Sequence, residues 1–359
     1  MNGALSRVLV VDDTETNVDL LVGMLDEVYD VRVATDGAGA LEAVAEEKPD
    51  MILLDVMMPG MDGYEVCRRL KASPETRDIP VIFLTAMTGE NDEARGLSLG
   101  AVDYIAKPFI PELVKSRVNN QIELKRYRDR LEDLVRERTS ELAATQEVAI
   151  YCLASLTETR DPETGGHILR TQRYVRTLAE RLSGRPSYGG VLDGATVDLL
   201  YKSAPLHDIG KVGVPDAILR KPGKLTPEEF EEMKKHTVYG MQALRVAEKR
   251  LGTNSFLRLA AEIAYSHHEK WDGSGYPRGL RGADIPVSGR IMALADVYDA
   301  LVSRRVYKEP FTHEHALSLV AEGRGTSFDP EMAGCLFDIG DDLRAIAREY
   351  PDDDIPGRM

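Results

Sequence analysis

The chain has 359 residues, 43% hydrophobic and 29% charged, which is enough for two globular cores, and its longest apolar runs, such as MILLDVMM, fall far short of a membrane span. Its 45 Lys and Arg against 60 Asp and Glu leave a net charge of −15, which opposes sequence-independent attraction to duplex phosphates and argues against DNA as a partner. The three cysteines, Cys67, Cys152 and Cys335, are widely separated without CxxC spacing, so they read as buried, reduced hydrophobes rather than a disulfide framework or a thiolate zinc site.

The first strand-like run, RVLVVDD, begins at Arg7 and leaves no room for a secretory leader, so a cytoplasmic chain without membrane insertion is expected. From there short β-rich runs (VLVVD, DVRVAT, MILLD, PVIFLTA and DYIAKP) alternate with amphipathic stretches. This α/β alternation predicts a doubly wound parallel sheet of five strands. Ligands of such sheets sit at the carboxyl ends of the strands. Those ends carry Asp12 and Asp13, Asp55, Thr85 and Lys107. Three carboxylates can hold a hard cation such as Mg²⁺, Thr85 can hydrogen-bond a phosphoryl oxygen, and Lys107 can neutralise its charge. Each alone is an ordinary turn former or solvated lysine. Together they form one coherent phosphate-handling set.

Over residues 5 to 120 the motifs VVDD, LLDVMMPGMDG, LTA and DYIAKPF resemble the receiver domain of two-component response regulators. The resemblance implies that Asp55 accepts a phosphoryl group from a sensor histidine kinase. It implies Mg²⁺ held by Asp12, Asp13, Asp55 and the Met57 carbonyl, a switch formed by Thr85, Tyr104 and Lys107, and a cis Lys107–Pro108 peptide.

Residues 112 to 159 contain neither Pro nor Gly, and Leu124, Leu131, Val135 and Leu142 recur at helical spacing, so one long helix is predicted. Arg128 and Arg138 interrupt the same stripe. A solvated single helix and a dimeric coiled coil both fit, and a homodimer would couple the two halves.

All seven histidines lie beyond residue 166, which marks a change of chemistry along the chain. TRDPETGGH breaks regular structure at Pro162 and a glycine pair, leaving Glu163 and His167 flanking a bend. Next come the adjacent His207 and Asp208, with Lys211 one turn later. In LTPEEFEEMKKH, Thr226 is an N-cap, Pro227 occupies the first helical position and Glu229 completes a capping box, so this helix is predicted to carry His236. His267, His268 and Glu269 then precede a turn with two glycines and a proline, and Asp296 lies on a helix within GRIMALADVYDALVSRRVYK.

A lone histidine on a helix is usually structural. Five histidines in company with Glu163, Asp208 and Asp296 on an apolar helical background are not, because burying them without a countercharge is costly. Divalent metals resolve that cost. Imidazoles and carboxylates without thiolates suit Fe or Mn, with Ni or Zn also acceptable, and Asp208 can bridge two ions while adjacent His267 and His268 feed two centres.

Across residues 146 to 340, HDIGK, HHEKWDGSGYP and ADVYDAL resemble the HD-GYP family of metal-dependent phosphohydrolases. The resemblance implies an all-α domain that hydrolyses cyclic di-GMP. It makes His167, His207, Asp208, His236, His267, His268 and Asp296 metal ligands, and Glu163 matches the position that lets some members bind a third metal. It also places Lys211 near the scissile phosphate and Asp161, Arg305 and Lys308 on the substrate.

The expected organisation is a receiver over 1–112, a helical linker over 113–145, the hydrolase over 146–340 and an acidic tail over 341–359. The reading is a response regulator that cuts cyclic di-GMP to pGpG, or further to GMP, with two or three divalent metals. Two alternatives stay open: a silent module that senses cyclic di-GMP or docks onto a diguanylate cyclase, and a hydrolase of another nucleotide.

Overall fold

The β-rich runs form the five expected strands, β1 (Arg7–Val11), β2 (Asp30–Ala34), β3 (Met51–Asp55), β4 (Val81–Thr85) and β5 (Asp103–Ala106). All pair in parallel, in the order β2-β1-β3-β4-β5. This computed structural model describes residues 5–86, 96–160, 166–252, 255–304 and 309–351. The chain divides into two units, Met1–Ser140 and Glu141–Met359.

In the first unit β3 and β4 are buried along their whole length, as continuous apolar runs covered on both faces must be. Strand periodicity sends Leu9, Ile52, Leu54 and Phe83 to one face, where they meet Val66 and Leu70. Val10, Leu53 and Ile82 point the other way, against Leu21, Leu25, Val114 and Val118. Asp36 and Asp62 cap the helices Gly37–Glu46 and Gly63–Ala72, accepting main-chain N–H groups that have no partner inside the helix.

The connector is one helix, Pro111–Glu158, and its proline sits at the position where a helix needs no N–H donor. Val114, Val118 and Ile122 are buried, whereas Leu124, Leu131, Val135 and Leu142 are exposed. Cys152 departs from expectation: it faces outward from this helix, and only Cys67 and Cys335 are buried.

The second unit is helical. Its core joins Tyr174 and Leu178 of His167–Ser183 to Ile291, Leu294 and Tyr298 of Val287–Val302, with Leu336 and Leu343 from the last two helices. Three expectations are corrected here. The capped helix Pro227–Lys234 stops before His236, which opens a second helix, His236–Leu251. Side chains cause the break: His236 Nδ1 and Thr237 Oγ1 engage the carbonyls of Met233 and Lys234 and compete with the helical ladder. Residues from 341 do not begin a tail, because Gly340–Glu349 is a helix whose Leu343 is fully buried. The helix carrying Asp296 ends at Val302, short of the end of GRIMALADVYDALVSRRVYK, because the Ser303 backbone turns extended.

Two elements that carry site residues meet at a glycine. A Cβ on Gly210 would lie 1.9 Å from the His236 carbonyl oxygen, so only glycine lets the 3₁₀ turn Ile209–Gly213 approach the start of His236–Leu251. Gly210→Ala is therefore expected to destabilise the folded state by about 1–3 kcal/mol, the usual scale of core overpacking. Urea unfolding followed by near-ultraviolet circular dichroism measures this, and an unchanged midpoint would contradict the close packing.

Candidate functional site

The strand-end residues of the first unit converge as predicted. Asp12 and Asp55 are buried, Asp13 is exposed, and ligand oxygens of the three carboxylates lie within 4.8 Å of one another. Lys107 Nζ stands 2.8 Å from Asp12 and 3.0 Å from Asp55. Thr14 N–H and the Asn17 amide orient Asp12. Burial pushes the Asp55 carboxyl up, and Lys107 and the Met57 N–H oppose this only in part. One lysine does not balance three carboxylates, so a divalent cation fits the donor set. Thr85 is buried at the end of β4, Tyr104 sits on β5 beneath the Arg117 guanidinium, and Lys107–Pro108 is cis.

In the second unit Asp208, His236, His267 and His268 form one cluster and His167, His207 and Asp296 another. Asp208 stands between them. Its Oδ1 lies 3.3 Å from His236 Nε2 and 3.4 Å from His267 Nε2, while its Oδ2 lies 3.4 Å from His207 Nε2. His167 Nε2 is 3.5 Å from His207 Nε2 and 3.7 Å from Asp296. His267 and His268 lie in the same cluster, their rings tilted by 42° with centroids 4.0 Å apart. Asp296 is half-buried.

In four of the five histidines the remaining ring nitrogen is tied down. Nδ1 of His207, His236 and His267 bonds the carbonyls of Ala204, Met233 and Ile263, and Nδ1 of His167 bonds Asp299. Those bonds place the proton on Nδ1 and turn the Nε2 lone pairs toward the clusters. Burial lowers His267 and His268 below the ordinary histidine value, so both are neutral near pH 7. Burial would also lower His207, but Asp208 outweighs it and raises the imidazole. Asp208 itself is held well below the usual carboxylate range: burial opposes this, and Lys211, 2.7 Å away, and His207 prevail. Asp208 Oδ1, His236 Nε2 and His267 Nε2 are buried and accept no hydrogen bond. Three lone-pair atoms aimed at one another without a proton between them are what a cation satisfies, so the residues fit a metal.

Several contributors were not anticipated. Asp299, buried, accepts from His167 and from Arg170 at 2.7 and 3.0 Å, while Arg170 also reaches Ser303 and the Tyr350 carbonyl. Burial pushes the Asp299 carboxyl up, yet the bonds from His167 and Arg170 bring it down to about 2. Its spacing of three from Asp296 puts both on one helix face and was the available signal. Glu269 turns away from the clusters and accepts the N–H groups of Arg278 and Leu280, pinning the glycine-rich turn to the end of helix Ser255–Ser266. Ala154, Thr157 and Glu158, from the last turns of the long helix, line the cleft beside His167, His207 and Lys211. Asp161, Glu163, Arg305 and Lys308 lie outside the described residues. No described helix is long and apolar enough to cross a membrane.

A doubly wound receiver sheet and a helical bundle organised around histidine–carboxylate clusters define a signalling protein with a metal-dependent hydrolase fold. Residues 8–119 match the response regulator receiver domain and residues 152–332 the HD domain. The chain belongs to the response regulators that join a receiver to an HD domain of the HD-GYP type. It is 48% identical to a probable cyclic di-GMP phosphodiesterase of Vibrio cholerae, over 97% of this chain and 80% of that protein. It is 34% identical to the cyclic di-GMP phosphodiesterase response regulator RpfG of Xanthomonas campestris, over 96% and 90%. A 3'3'-cGAMP-specific phosphodiesterase of Vibrio cholerae is 42% identical over 59% of this chain and 38% of its own length.

Because Asp299 fixes the ring of His167, Asp299→Asn is expected to weaken metal binding by about 10–100-fold while the fold is kept. Titration with Mn²⁺ followed by calorimetry measures this, and wild-type affinity in the variant would contradict the role.

Proposed function

We propose that this chain is a phosphorylation-controlled phosphodiesterase that hydrolyses cyclic di-GMP to linear pGpG, with GMP as the product of a second cut. The meeting of two histidine–carboxylate clusters at Asp208 carries this reading. In it, residues 1–112 are the phosphoacceptor unit, 113–145 the linking stretch and 146–340 the hydrolase. His167, His207 and Asp296 hold one divalent ion, and His236, His267 and His268 a second. Asp208 serves both, and Glu163 adds a third. Donors of this kind favour Fe or Mn, with Ni or Zn acceptable. Bound ions supply Lewis acidity and a water of lowered pKa. Lys211, held by Asp208, is placed to neutralise the leaving oxygen, and Asp161, Arg305 and Lys308 serve the rest of the substrate.

The other half is a switch. Asp55 takes its phosphoryl group from a histidine kinase with Mg²⁺ held by Asp12, Asp13 and Met57, and Thr85 and Tyr104 respond to the added charge. The long helix is the route outward, since its first turns are buried on the receiver sheet and its last line the metal cleft. Its exposed leucines support a homodimer through that helix. A second substrate, 3'3'-cGAMP, belongs in the assay because a relative named for it shares the hydrolase half.

Asp208→Ala is expected to lose bound metal and to lower cyclic di-GMP hydrolysis by about 100-fold or more, since this residue faces both clusters. Metal analysis with product chromatography tests it; full metal content and turnover would show the site to be misassigned. Beryllofluoride is expected to change wild-type turnover, but neither that of Asp55→Asn nor that of a variant with Gly-Gly inserted after Leu134. If the insertion variant responds like wild type, the signal bypasses the helix.

A further inference from the structure

Helix Pro227–Lys234 buries none of its residues, yet it is firmly built. The Thr226 capping box fixes its start, Lys221 pairs with Glu229 at 2.5 Å, and Tyr239 donates to Glu232. A segment held this carefully without serving a core has another task. Its one aromatic side chain, Phe230, is 46% exposed and meets the edge of Tyr276, ring centroids 6.1 Å apart. Tyr276 in turn lies over His268 of the metal cluster, with centroids 4.7 Å apart and planes inclined by only 32°. Lys234 Nζ stands 5.5 Å from the Phe230 ring and 5.7 Å from that of Tyr276, paired with the exposed carboxylate of Glu231 at 2.5 Å. An aromatic path therefore runs from the cluster to solvent and ends in an open ring with a cation beside it.

Single exposed apolar side chains are common and need no function. Phe230 differs because it stays 46% exposed on a helix with no buried residue, while its neighbour touches a cluster residue. Aromatic faces flanked by a cation are the surface on which nucleobases stack, and a cyclic dinucleotide with one phosphate at the clusters must rest its bases nearby.

We propose that Phe230, with Tyr276 and Lys234, forms a shelf at the mouth of the metal clusters on which one purine of the cyclic dinucleotide stacks. The proposal rests on the phosphodiesterase reading and assigns a specificity element to it. Tyr276 supports the stack from the cluster side, and Lys234 faces the substrate's negative charge once its exposed partner Glu231 swings away.

Steady-state kinetics of the full metal-loaded chain on cyclic di-GMP and on bis(p-nitrophenyl) phosphate, which has no purine, test the shelf. Phe230→Ala is expected to raise KM for cyclic di-GMP about tenfold, the scale of one lost base-stacking contact, with metal content retained. The loss in kcat/KM should be several-fold larger on cyclic di-GMP than on the small diester, and Phe230→Trp should recover most of it. Equal losses on both substrates, or an unchanged KM in Phe230→Ala, would overturn the shelf. Wild-type protein that cleaves the small diester but leaves cyclic di-GMP intact would overturn the phosphodiesterase reading itself, and the shelf with it.

Discussion

The second unit is organised around one carboxylate, Asp208, whose two oxygens face different histidine clusters while Lys211 supplies a cation bonded to it. Deeply placed charges and lone pairs are tolerated only when matched, and an unmatched buried ion costs several kcal/mol. One lysine cannot match two carboxylates and the lone pairs of five imidazoles. Divalent ions can, and they turn a liability of folding into a catalytic resource.

Much of the surrounding fold prepares that arrangement before any ion arrives. Main-chain carbonyls and Asp299 hold the imidazoles from behind, Gly210 lets two site-bearing segments touch, and Glu269 clamps the turn after the paired histidines. The helix end sets the direction of both rings, and the turn returns Tyr276 to cover His268. Arg170 extends this support to the Tyr350 carbonyl, so the last helix is tied to the site through a single side chain.

The parallel sheet was legible because β3 and β4 are continuous apolar runs with their polar residues displaced to the ends, a pattern that survives without tertiary information. The metal-facing residues were legible because histidine and carboxylate are rare company in an apolar helical segment. What escaped depends on contacts between distant segments. Asp299 reads as one more polar residue on a helix until Arg170 and His167 are seen around it. The exposure of Cys152 and the helix break before His236 follow from which face packs and which carbonyl a side chain captures. Neither is written in local periodicity.

The two units share one helix, and its composition explains how a single element serves both. Early apolar positions are buried on the sheet, the middle is solvated, and the last turns line the cleft. The proposed hydrolysis depends on the clusters holding ions at a shared carboxylate. Anomalous diffraction at the metal edge from crystals of the metal-loaded chain tests that most directly. Two peaks about 3.5–4 Å apart with Asp208 between them are the expected result. A single peak, or two ions too far apart to share Asp208, would contradict the account.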